Sequence, residues 1–128
     1  MNDRIQVFEK DGTFVQELLV APLTLGAGSV WDIAFSSDDE QTYIYLADGF
    51  NRKVWVIERE TMEVLTSFGT GGRQPGQFFG VHSIAVDSVG NIYTTETWEG
   101  KRLQKFVYRG LAPITATEQG VPWPDRSG

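Results

Sequence analysis

Cysteine is absent from the 128-residue chain and histidine occurs once, at position 82. The first absence excludes disulfides, thiolate metal sites, iron–sulfur clusters and a cysteine nucleophile. It leaves the redox compartment open, because a cysteine-free chain tolerates either kind. The second excludes a multi-histidine metal cage built by one chain. No apolar run approaches the roughly 20 residues a membrane helix needs. The opening Met1-Asn2-Asp3-Arg4 lacks the basic-then-apolar pattern of a secretory leader. No membrane partner is expected, and the cytoplasm is the default compartment. Positive charge is short as well, with 11 Lys and Arg against 17 Asp and Glu, net −6. That balance disfavours phosphate-backbone binding, so no nucleic-acid partner is expected. Apolar residues make up 41% of the chain, an ordinary share for a globular domain. A chain of this length is read as one domain with a core that needs no covalent staples.

What is present repeats. Arg4-Ile5-Gln6-Val7-Phe8, Lys53-Val54-Trp55-Val56-Ile57 and Arg102-Leu103-Gln104-Lys105-Phe106 share one pattern at a spacing of 49 residues. Val30-Trp31-Asp32-Ile33-Ala34-Phe35 matches Val81-His82-Ser83-Ile84-Ala85-Val86 at an offset of 51. Ile44-Tyr45-Leu46-Ala47-Asp48 matches Ile92-Tyr93-Thr94-Thr95-Glu96 at 48. The three-residue drop from 51 to 48 falls where one turn, 36–42, is longer than its counterpart, 87–91, and the offset drifts only inside turns. Three matched segments in the same order mark a structural repeat.

Each segment is short, rich in Val, Ile, Tyr, Phe and Trp, and bounded by Gly, Asn, Asp and Ser, which predicts strands. The expected strands are 4–9, 13–20, 30–35, 43–48, 53–58, 62–68, 81–86, 91–96 and 102–108, with a tenth at 114–117. The helix-forming stretch 58–63 lies between two strands and reads as a hairpin turn. Val54, Val56, Ile57, Ile33, Phe35, Ile44 and Leu46 are the expected core of the one complete repeat. Four strands in a repeat of 40 to 50 residues are the signature of a β-propeller blade. The fold class is therefore all-β, with blades of four antiparallel strands.

These residues resemble NHL-repeat propellers. Gly90-Asn91-Ile92-Tyr93 and Glu96 match the family's strand and the acid that follows it. Asp48-Gly49-Phe50-Asn51-Arg52-Lys53-Val54 matches the link into the third strand. The glycine-spaced run from Phe68-Gly69 to Gln77-Phe78 matches the connection between blades. One departure is that Val30-Trp31-Asp32 and Val81-His82-Ser83 stand where the family places Pro-x-Gly. The other is extent, since the family carries about six blades and this chain holds about two and a half repeats. The resemblance implies propeller blades over 1–110: a half blade at 2–20, a full blade at 28–68 and a third at 79–110. A tail, 111–128, is expected to be partly disordered, with Pro122-Trp123-Pro124 as an extended arm or a frayed end. An arc of this size cannot close on itself, so a two-fold homodimer completing a ring is expected.

By analogy with propellers, the loops entering the first strand and leaving the second strand of each blade rim one mouth of the channel. Trp31, Asp32, His82, Asp48 and Glu96 are thereby the candidate ligand-binding residues. For His82 the competing reading is a rim or core residue bonded to backbone. For Asp48 and Glu96 it is a turn-capping role. Trp31, Trp55 and Trp98 read first as packing between blades. Lys101, Arg102, Lys105 and Arg109 read as a solvated edge, although some NHL propellers bind RNA through a basic face. No catalytic set is legible. Gly69-Thr70-Gly71-Gly72 lacks the Gly-Lys-Ser/Thr ending of a phosphate loop. Ser36-Ser37-Asp38-Asp39-Glu40 lacks the glycine and closing Glu of a calcium loop.

The function these observations imply is a non-enzymatic propeller scaffold that binds a protein or a small ligand, with no cofactor and no resident metal. A rival follows from the resemblance, since related lyases and lactonases hold zinc or calcium at such a mouth. It is a metal-assisted lyase or hydrolase whose site is completed by another chain. A third reading is a truncated gene product with no independent activity.

Overall fold

The computed structural model describes residues 3–112. Those residues are all-β, built of antiparallel sheets joined by tight turns. A hairpin opens the chain, β1 (Arg4–Phe8) and β2 (Phe14–Leu19). Its turn is set by Gly12 at φ 92° and by Asp11, whose Oδ1 accepts the Thr13 N–H at 2.9 Å. Then comes a four-stranded meander: β3 (Asp32–Phe35), β4 (Tyr43–Asp48), β5 (Lys53–Glu58) and β6 (Glu63–Phe68). A two-residue parallel pair follows, β7 (Thr70–Gly71) with β8 (Gln77–Phe78). The last sheet is β9 (Val81–Val86), β10 (Ile92–Glu96) and β11 (Leu103–Phe106), again in meander order. Among the described residues the one helical element is a single 3-10 turn, Trp98–Gly100, and no helix is long and apolar enough to cross a membrane.

The nine strands read from the sequence all form, within about two residues at each end. The glycine-spaced run 69–78, read as plain connection, also carries the β7–β8 pair, which is too short to leave a period-two pattern. The tenth strand, the proline-flanked arm and nearly all of the tail lie outside the described residues.

Strand alternation divides the core into two layers, one on each face of the central sheet. Ile44, Leu46, Trp55 and Ile57 face the hairpin, where they meet Ile5 and Val20. Ala47 and Val54 face the opposite way and meet Val81, Ile84, Ile92 and Phe78 of the last sheet and its lead-in. The registered pairs Ile44↔Ile57 and Leu46↔Trp55 put one layer on one side; Ala47↔Val54 puts the other behind it. Burying such a side chain contributes about 1.5–3 kcal/mol.

The expected core holds at Ile44, Leu46, Val54 and Ile57, which are buried. It is revised at three positions. Ile33 is half-buried and Phe35 is 39% exposed at the β3 edge of the hairpin-facing layer, and Val56 is half-buried on the opposite face beside Tyr45. Met62 was not anticipated in the core. It closes the β5–β6 turn at φ 58°, a left-handed value uncommon for a residue with a side chain, and buries that side chain under the hairpin.

Candidate functional site

The two equivalent residues Trp31 and His82 touch. Trp31 immediately precedes β3 and His82 is the second residue of β9, and their rings meet edge to face at 5.8 Å between centroids. Trp31 is positioned by its backbone N–H, which donates to Ala47 O at 3.1 Å, and by its indole Nε1, which donates to Gly28 O at 2.8 Å. Its ring lies flat on Gly49, where any Cβ would overlap it. That contact requires glycine at a position the repeat otherwise leaves free.

A third ring completes the pile. Trp98 lies 5.8 Å from Trp31, also edge to face, and is 66% exposed. It rests against Gly80, and the Thr97 N–H fixes the turn by donating to Gly80 O at 2.9 Å. Trp98 departs from its expected packing role between sheets, whereas Trp55 fulfils it at 4% exposure. The short turn beginning at Thr97 lifts the Trp98 ring out of the β10–β11 ladder, so no strand period marks it in the sequence. Beside the pile, Arg52 and Arg73 hold their guanidinium carbons 5.6 and 5.4 Å from the Phe79 ring. Arg73 also pairs with Glu99 at 2.8 Å.

The three candidate carboxylates lie below or beside these rings, and each accepts hydrogen bonds from the protein. Asp32 accepts the Ile84 N–H through Oδ2 at 2.9 Å, tying the central sheet to the last one, and its own strand's Ile33 N–H through Oδ1. Asp48 is buried and accepts from Trp55 Nε1, Asn51 N and Asn51 Nδ2 at 2.7–2.9 Å. Burial pushes its carboxyl above the usual carboxylate range, against the pull of those three donors. Glu96, the repeat equivalent of Asp48, is fully buried in its side chain. It accepts from Arg102 Nε at 2.8 Å and Phe79 N at 2.9 Å.

Arg102 does more than neutralise Glu96. Its other guanidinium nitrogens donate to the carbonyls of Arg73, Gln74 and Gln77, stitching the 69–78 connection onto the last sheet. Gln104 adds a bond to Gln77 O at 2.8 Å. Of the expected basic edge, Arg102 is thus internal. Lys105 sits over the Tyr93 ring at 5.7 Å, and Lys101 and Arg109 are exposed.

The site therefore offers stacking surface rather than free carboxylate. A zinc or calcium ion needs several uncommitted donors converging on one point. These residues do not fit that need: His82 stands apart, with Nδ1 3.3 Å from Ser83 Oγ, and all three acids are bound to N–H donors. Among the described residues no group of three or more His, Asp or Glu side chains converges. Compared with known families and with curated proteins, the chain matches no family model and no curated protein.

Proposed function

We propose that this chain is a segment of an NHL-like β-propeller that works by binding, not by catalysis. Its ligand, in this reading, presents a flat ring face to Trp31, His82 and Trp98. Support for the architecture comes from the repeat itself. The meander β3–β6 and the shorter meander β9–β11 place equivalent residues in equivalent ladder positions, as Ile33↔Leu46 and Ile84↔Thr94 do. One observation carries the binding role: an indole 66% exposed, held edge-on to a second indole that is itself pinned on glycine. A large apolar ring held rigid in water costs hydration free energy that a stacked ligand recovers. Binding is favoured over acid–base or metal chemistry because every rim carboxylate is committed to a structural hydrogen bond.

The test is a titration with p-nitrophenyl glucoside, which carries both a sugar face and an aromatic ring, read by the indole N–H resonances. Trp31 and Trp98 should shift while buried Trp55 stays in place. Trp98→Ala should weaken the response at Trp31 by tenfold or more, about the loss of one stacking contact of ~1.4 kcal/mol. Equal shifts at all indoles, or none at millimolar probe, would remove the proposal.

A further inference from the structure

In the central sheet, the face that receives the last sheet carries the cross-strand pair Ala34↔Tyr45, both packed against the Val81, Ile84 and Ile92 layer. The last sheet carries the same pair, Ala85↔Tyr93, in the same register. Strand alternation turns that pair away from the central sheet, since neighbouring Ile84 and Ile92 face inward. Leu103, also on this outer face, is 65% exposed, whereas its repeat equivalent Val54 is fully buried. The residues that receive a sheet are thus present a second time. Among the described residues nothing covers them.

We propose that this face receives a second copy of the chain, head to tail, so that β9–β11 of one protomer seats on the β1–β2 hairpin of the other. Charge selects that partner face. Residues 101–112 carry Lys101, Lys105 and Arg109 besides Arg102, whose charge is taken up by Glu96, and no acid; Lys105 lies on the open face beside Tyr93. Residues 3–20 carry Asp3, Glu9, Asp11 and Glu17 against Arg4 and Lys10. With Ile5, Val7 and Leu18 packed inward, the hairpin's outer side presents Gln6, Leu19 and the pair Arg4–Glu17, 3.7 Å apart, with Leu19 41% exposed. A contact between two like faces sets Lys105 against Lys105, whereas the head-to-tail contact sets it against a segment with four acids and two bases. Each copy holds one face of each kind, so two copies close on a two-fold axis and leave neither face free.

Light scattering on the full chain at micromolar concentration should give twice the 14.3 kDa chain mass. Ala85→Arg, which blocks the receiving face, and Leu19→Arg, which blocks the hairpin face, should each fall to the single-chain mass. Both positions are exposed, and the far-ultraviolet circular dichroism spectra should match that of the unaltered chain. Mixing the two variants should restore the double mass, because the pair still holds one intact interface. That mixture is run at about tenfold higher concentration, since one contact replaces two. An unaltered chain that is monomeric and melts cooperatively overturns the proposal. So does Leu19→Arg remaining at double mass, which would mean a like-face contact, or a mixture that stays monomeric.

Discussion

The central sheet and the last sheet come from one repeat, yet the first is packed on both faces and the second on one. Their sequences register the difference position by position. Leu46, fully buried between hairpin and sheet, has Thr94 as its equivalent, and Trp55 has Gln104. Val54 is replaced by exposed Leu103, and Asp48 by Glu96 with its arginine partner. The last sheet meets the central sheet through the apolar layer of Val81, Ile84 and Ile92, and polar stitching by Arg102 and Gln104 holds its lead-in, residues 69–78. The lesson is that one strand pattern supports a sheet with an apolar layer on one face or on both. The residues filling the equivalent positions decide which forms.

The sharpest break in that comparison is Leu46→Ala, which should cost about 2–5 kcal/mol in denaturant melts, as buried leucine truncations do. Leu103→Ala, measured in the single-chain Leu19→Arg background, should cost at most about 0.5 kcal/mol, because its side chain is already in water there. Equal losses at the two positions would contradict the one-sided packing of the last sheet. Arg102→Ala comes next, at about 3 kcal/mol, since it strands the buried Glu96 carboxylate and releases the carbonyls of the 69–78 connection. Proteolysis of that connection should accelerate in the same variant, and an unchanged cleavage pattern would show that Arg102 does not hold it.

Gly49→Ala should cost about 1–3 kcal/mol by forcing the Trp31 ring off its seat. Its signature is a moved Trp31 indole resonance with Trp55 unchanged. Thr94→Val should act in the opposite direction. The Thr94 hydroxyl is buried with no hydrogen-bond partner among the described residues, and removing it at constant shape should raise stability by about 1 kcal/mol. A lower melting midpoint for this variant would mean that the hydroxyl is satisfied.

The smallest effect separates the two carboxylates at opposite ends of the central sheet. Asp38, in the exposed β3–β4 turn, accepts from the Ser36 and Thr42 hydroxyls and the Thr42 N–H, which hold it down to about 2. A depressed folded value contributes stability that is complete above the unfolded carboxylate range. That contribution is lost as pH falls through about 2. Melts between pH 5 and about 2 should therefore fall less steeply for Asp38→Asn than for the unaltered chain. Asp48 has the opposite sign. Burial raises it, so its protonation favours the folded state as pH falls, and Asp48→Asn should steepen the acid-side loss.

Much of the architecture was legible in the sequence because its signals are local. Strand positions follow from runs of β-branched and aromatic residues. Turns follow from Asp-Gly and Gly-Asn pairs, and the repeat follows from spacing that drifts only within turns. That Trp31 and His82 are equivalent was legible from the repeat spacing, but that their rings meet is a fact of the tertiary structure. Other features belong to tertiary structure alone. Which apolar residues are covered depends on the neighbouring sheet, so Phe35, expected in the core, lies 39% exposed. Trp98 joins the pile because a left-handed turn throws its ring across the sheet end, which no period records. Asp32, Asp48 and Glu96 show the same limit from the polar side. A carboxylate at a strand end has the same letter whether it awaits a ligand or is held by amides. The donors that decide it, such as Ile84 N for Asp32 and Phe79 N for Glu96, arrive from 52 and 17 residues away.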